Sequence, residues 1–151
     1  MKNKKLNILV TGGSGFLGSH VVDSLESAGH NVIIFDLKKS ANIKSRSDFI
    51  NGDILDLEAL TKALKNIDVV FHLAAFSDLN KAQDNPIDTI KVNVVGMTNV
   101  LEAARINKIN RVIFSSSIYV SSRSGGFYRV SKHSCELLLE EYFNHFDLKY
   151  T

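Results

Sequence analysis

The chain has 151 residues, of which 44% are hydrophobic and 23% charged, with a formal net charge of +2. That length can bury a core, the composition is that of an ordinary globular protein, and the charge is too small to argue for a nucleic-acid partner. No apolar run reaches the length of a membrane span and no secretory leader opens the chain, so a cytoplasmic setting with no membrane partner is expected.

Lys2, Lys4 and Lys5 give a short basic start that reads as a solvated tail. Leu6 to Val10 is a continuous apolar run, predicted as a buried strand. Directly after it stands Thr11-Gly12-Gly13-Ser14-Gly15-Phe16-Leu17-Gly18. A strand, a glycine-rich turn and a helix together grip a dinucleotide pyrophosphate: backbone N–H groups approach the phosphates and the helix dipole favours the negative charge. The spacing reads two ways, as G-x-G-x-x-G through Gly13, Gly15 and Gly18, or as G-x-x-G-x-x-G through Gly12, Gly15 and Gly18. Helical periodicity then predicts Phe16, Leu17, Val21, Val22 and Leu25 facing inward until Ala28-Gly29 stops the helix.

A second strand, Asn31 to Phe35, ends in Asp36. An acid about 20 residues past a glycine fingerprint is placed to accept hydrogen bonds from the adenosine ribose, and its carboxylate would repel a 2′-phosphate. Asp36 therefore favours NAD over NADP, a preference softened by Lys38 and Lys39 just beyond it. Asp48 to Ile50 is predicted as a third strand, Gly52-Asp53-Ile54 as a loop, Leu55 to Leu64 as a helix and Asp68 to Leu73 as a fourth strand. Pro86 opens a predicted helix running to about Ile106. Arg111 to Ser115 is the fifth strand, followed by a Ser/Gly-rich loop and a helix from about Phe127 to His145.

Strands alternating with helices force right-handed crossovers. The expected class is α/β, a Rossmann-type doubly wound parallel sheet with helices on both faces. Ligands of such sheets bind beyond the strands' carboxyl ends. Asp36, Asp53, Ala74-Ala75 and Ser115 to Ser117 all fall there.

Tyr128 and Lys132 stand four apart on the last helix, on one face. An ammonium beside a phenol favours the phenolate, so Lys132 is expected to lower the Tyr128 pKa towards that of a working general base. Cys135, the single cysteine, lies in the same helical pattern and reads as a reduced structural thiol. His20, His30, His72, His133 and His145 have no metal-ligand spacing, and no metal is expected.

The ordered set of Thr-Gly-x-x-Gly-x-x-Gly, Asp36, Gly52-Asp53-Ile54, His72-Leu73-Ala74-Ala75, Asn93, Ser115-Ser116-Ser117 and Tyr128-x-x-x-Lys132 resembles the extended short-chain dehydrogenase/reductase family. Within it, the resemblance is to the NAD-dependent epimerase/dehydratase branch of nucleotide-sugar enzymes, of the UDP-glucose 4-epimerase type, and it covers essentially the whole chain. It implies one NAD-binding Rossmann domain over residues 1–151. The cofactor contacts it implies come from Gly12, Gly15, Phe16, Leu17, Gly18, Asp36, Asp53, Ile54, Leu73, Ala74, Ala75, Asn93, Ser115, Tyr128 and Lys132. Catalysis is implied from Ser117, Tyr128 and Lys132, acting on a UDP- or dTDP-linked sugar.

Counting from the fifth strand selects Ser117, whereas anchoring on Tyr119 would select Ser115; strand register is the firmer guide, and Ser116 is expected to satisfy backbone groups. The family's 4,6-dehydratases carry an Asp-Glu pair that is absent here, which points away from elimination chemistry. Family members run on for another domain, so the C-terminal part of the fold and the substrate domain are expected to be absent. Leu148 to Thr151 would begin a sixth strand. A homodimer through the two long helices is expected, since Ile87, Ile90, Val94, Met97, Val100, Leu101 and Ala104 on one and Leu137, Leu138, Leu139, Tyr142, Phe143 and Phe146 on the other exceed one apolar stripe each. The alternative function is a non-catalytic NAD-sensing or partner-binding module.

Overall fold

The computed structural model describes residues 4–40 and 47–151; Lys2 of the basic start lies outside them. The first unit is β1 (Asn7–Thr11), α1 (Phe16–Ser27) and β2 (Asn31–Asp36), followed by β3 (Asp48–Asn51) and α2 (Leu57–Ala63). Next come β4 (Val69–His72), α3 (Leu79–Asp84), α4 (Pro86–Ile90), a π-helical turn (Lys91–Val95) and α5 (Gly96–Ile106). The chain closes with β5 (Arg111–Phe114), a 3₁₀ turn (Ile118–Ser121) and α6 (Gly126–Phe146). All five strands pair in parallel in the order β3-β2-β1-β4-β5. Tyr150 bridges Val112 in parallel on the free edge of β5, so the expected sixth strand does begin there.

Alternation along β1 decides the two layers. Ile8 and Val10 point to one face, where Val22 and Leu25 of α1 cover them together with Val32 and Ile34. Leu9 points to the other, into a larger core built from Leu60, Met97, Leu101, Cys135 and Leu139 on α2, α5 and α6. Helices thus cover both faces, but unequally, with α1 alone on one side.

Three elements differ from the sequence reading. α3 went unpredicted because it is short and polar and buries only Ala82; its signal is Asp78, whose carboxylate caps the N–H groups of Asn80 and Lys81. The helix predicted from Pro86 to Ile106 keeps both ends but contains the π-helical turn, which turns Asn93 inward to near-complete burial. At the start of α1, Phe16 is 87% exposed and Leu17 is also exposed, against the inward placement predicted for them. Both line the cleft at the carboxyl end of the sheet instead of packing on it.

Candidate active site

The carboxyl ends of β1, β2, β4 and β5 surround a cleft of about 690 Å³. Gly12, Gly15, Phe16, Leu17, Gly18, Asp36, Asp53, Ile54, Leu73, Ala74, Ala75, Ser115, Tyr128 and Lys132 all line it. Of the residues expected at the site, Asn93 and Ser117 are the two outside that lining. A smaller hollow of about 380 Å³ at the opposite edge of the sheet, beside His30 and Asp48, holds none of them.

The glycine turn resolves the ambiguity in its spacing. Gly12 has φ of +70°, and a Cβ there would stand 2.5 Å from the backbone nitrogen of Ala74; at Gly18 it would stand 2.1 Å from the carbonyl oxygen of Gly12. Gly13 does not face the cleft and touches the Ile34 side chain behind the turn. Of the two spacings, Gly12, Gly15, Gly18 is the one whose three glycines all line the cleft.

Gly15 starts α1 without a side-chain cap, and the first turn of the helix carries no acid to offset its dipole. The Ser14 hydroxyl beside it is buried with no hydrogen-bond partner. An uncapped helix start, an orphaned hydroxyl beside it and a turn packed too closely to admit a Cβ at Gly12 or Gly18 suit a bound pyrophosphate. The residues present therefore fit a dinucleotide.

At the β2 end, the Asp36 carboxylate accepts the Ser14 N–H at 3.0 Å, which fixes it against the turn. Lys38 lines the cleft with it, while the Lys39 ammonium stands 6.0 Å from the Phe49 ring centroid. Asp53 accepts the Leu55 N–H at 2.9 Å, and Ile54 is buried with its carbonyl held by the Asn99 side chain.

Asn93 is not at the cleft surface. Its side chain accepts the Phe76 N–H at 2.7 Å and donates to the Phe76 carbonyl and to Ser131 Oγ at 2.9 Å. It clamps the segment after β4 to α6, which replaces the direct cofactor contact expected from sequence. Sequence inspection also missed Ser14; its place between two fingerprint glycines was the available signal.

At the other end, Lys132 is buried, and its Nζ donates to the Ser115 carbonyl oxygen at 2.8 Å. The three serines separate clearly. Ser115 offers this carbonyl, Ser116 donates to the Glu136 carboxylate at 2.6 Å rather than to backbone, and Ser117 stands beside Tyr128, where it favours the ionised phenol. Ser117 Oγ also accepts the Tyr119 N–H, capping the 3₁₀ turn.

One electrostatic expectation is overturned. The Tyr128 phenol lies above its usual value, because burial opposes the phenolate, and only neighbouring Ser117 works in the other direction. The Lys132 ammonium stands 5.7 Å from the Tyr128 ring centroid and donates to the Ser115 carbonyl. Burial in turn holds Lys132 below the ordinary lysine value.

Residues 8–151 match the NAD dependent epimerase/dehydratase family. A putative UDP-glucose 4-epimerase of Methanocaldococcus jannaschii is 40% identical over 114 residues, covering 73% of this chain and 37% of that protein. UDP-glucose 4-epimerase of Thermotoga maritima, solved with UDP-glucose, superposes with a TM-score of 0.87 at 32% identity, over 96% of this chain and 53% of that one. The Brucella ovis UDP-glucose 4-epimerase, solved with NAD, gives a TM-score of 0.89 at 29% identity over 96% and 50%. The chain thus spans between about a third and a half of the proteins it matches. Among the described residues no helix is long and apolar enough to cross a membrane.

Proposed function

This chain belongs to the NAD-dependent epimerase/dehydratase family, and from that premise we propose that it is the cofactor-holding, proton-transferring part of a UDP-sugar 4-epimerase. One observation carries the reading: a single cleft runs from Asp36 past the uncapped start of α1 to Tyr128 and Lys132.

The Gly12-to-Gly18 turn and the N-terminus of α1 hold the pyrophosphate, and Asp36 accepts the adenosine ribose hydroxyls. Its carboxylate selects NAD over NADP. The nicotinamide cofactor, when bound, supplies the hydride acceptor and donor. Lys132 turns its remaining N–H donors to the nicotinamide ribose. Tyr128 takes the proton of the sugar 4-hydroxyl, and Ser117, beside Tyr128, donates to the reacting oxygen. Burial leaves the Tyr128 phenol a weak acid, and an oxidised cofactor held in the cleft would bring positive charge that favours its ionised form. The substrate is a UDP- or dTDP-linked hexose.

We also place this protein in a homodimer and in the cytoplasm. Ile87, Phe143 and Phe146 are exposed on α4 and α6, whereas Met97, Val100 and Leu101 of α5 pack inward. The single thiol, Cys135, is buried, and burial raises it to about 11. Sedimentation as a monomer at tens of micromolar would refute the dimer.

The test is a fluorescence titration with NADH and, in parallel, NADPH, followed by addition of UDP- and dTDP-hexoses to the NAD⁺ complex. Saturable NADH binding, much weaker NADPH binding and reduction of bound NAD⁺ are expected. Tight binding without reduction by any sugar would instead support an NAD-sensing module.

A further inference from the structure

Lys132 is only 3% exposed, a place where an ammonium is rarely found without a counter-charge. None of the ion pairs among the described residues includes it. The Ser115 carbonyl occupies one of its three N–H donors. Two aromatic rings also face it: that of Phe114, whose centroid lies 4.6 Å from Nζ, and that of Tyr128 at 5.7 Å, so Phe114 is the nearer. The Phe114 ring is well inside the range of about 6 Å over which an aromatic face attracts a cation.

The titratable groups around the ammonium are three, and near neutral pH none carries charge. His72 of β4 stacks on Phe114, with centroids 6.0 Å apart and planes within 20°. Burial, with Lys132 itself, drives His72 down to about 3, so it stays neutral. Tyr128 is held as the phenol and Cys135 as the thiol, both by burial. Among the described residues no carboxylate pairs with Lys132, and the attraction comes from the Ser115 carbonyl dipole and the aromatic faces of Phe114, the nearer, and Tyr128.

We propose that Phe114 is the positioning residue for Lys132: its ring face holds the ammonium charged and on the cleft side, beside Tyr128. The last residue of β5 thereby does for Lys132 what a carboxylate does elsewhere, without adding a negative charge next to a phenol that must ionise. The consequence for proton transfer rests on the function proposed above. The geometry does not.

Side-chain NMR titration of Lys132 in the full chain tests this directly, with its signal assigned by loss in Lys132→Arg. Phe114 is replaced by 4-fluoro- and then 3,4,5-trifluorophenylalanine, which keep the ring's shape while draining its face of negative potential. The Lys132 pKa is expected to fall stepwise, by about one unit at the trifluoro ring, given a desolvated cation–π attraction. Phe114→Leu should lower it comparably and Phe114→Tyr should keep it near the parent value. An unchanged pKa across the fluorinated series overturns the proposal. So does a fall in Phe114→Leu alone, since that would mean the ring acts through packing. These readings need neither cofactor nor sugar, so a chain that reduces no NAD⁺ would refute the proposed function and leave this result standing.

Discussion

Thr11 and His72 are paired directly across β1 and β4, and their side chains share a 2.7 Å hydrogen bond in the buried centre of the sheet. The Ala74 N–H approaches the same hydroxyl at 3.4 Å, so the pair anchors the wall of the cleft where β4 ends. His72 is neutral there because burial, and then the Lys132 charge, hold its pKa at about 3.

That depression has a sign. Below the unfolded value of about 6.5 the unfolded chain binds a proton that the folded chain refuses, so stability falls as pH drops. The expected loss approaches about 1.4 kcal/mol per pH unit between pH ~6 and the folded value. His72→Gln, which retains a partner for Thr11, should flatten urea midpoints measured from pH 7 to pH 5 relative to the parent. Parallel pH profiles for the two proteins would contradict it.

Gly12→Ala should abolish tight NADH binding and destabilise the fold by about 1–3 kcal/mol, because φ of +70° and the Ala74 backbone both oppose a side chain. Gly13→Ala presses on Ile34 and on the Val10 carbonyl, behind the turn, and should cost stability while leaving NADH affinity of the folded protein within about threefold. Thermal melts and NADH titrations on the two variants separate the effects. Equal loss of NADH affinity would reinstate the G-x-G-x-x-G spacing.

Ser117→Ala should slow sugar-dependent reduction of NAD⁺ by about 10²–10³, the usual effect of removing a donor from a reacting oxygen. Ser115→Ala keeps the carbonyl that Lys132 uses and should change the rate by no more than about threefold. Single-turnover rates decide between them, and the reverse order would mean that the strand register points to the wrong serine.

Asn93→Ala should weaken NADH binding although Asn93 does not face the cleft, because it frees Phe76 from α6 and leaves buried groups unpaired, at about 1–3 kcal/mol. A double-mutant cycle with Ser131→Ala should give a coupling above about 0.5 kcal/mol in stability. Additive effects would show that the clamp is not a unit.

Most of the sheet was legible because its strands are short apolar runs between glycine, asparagine and aspartate, and a parallel strand buried on both faces leaves that mark. The glycine turn, Asp36 and the Tyr128/Lys132 pair were legible for a different reason: each is a local pattern whose spacing alone aims its groups. What the chain by itself determined is therefore the α/β order and the residues gathered along one sheet edge.

Only tertiary structure decided the rest. Two glycine spacings fit one string of letters, and the choice came from the Ala74 backbone lying against Gly12 across the sheet. Asn93 reads like any polar residue in a helix until the π-helical turn aims it at Phe76 and Ser131. Phe114, an ordinary strand residue in sequence, gains its importance from an ammonium 18 positions later along the chain. The direction of the Tyr128 shift turned on burial, while the neighbouring Lys132 ammonium donates to the Ser115 carbonyl. Burial and long-range contact are properties of the packed chain, and no spacing in the sequence encodes them.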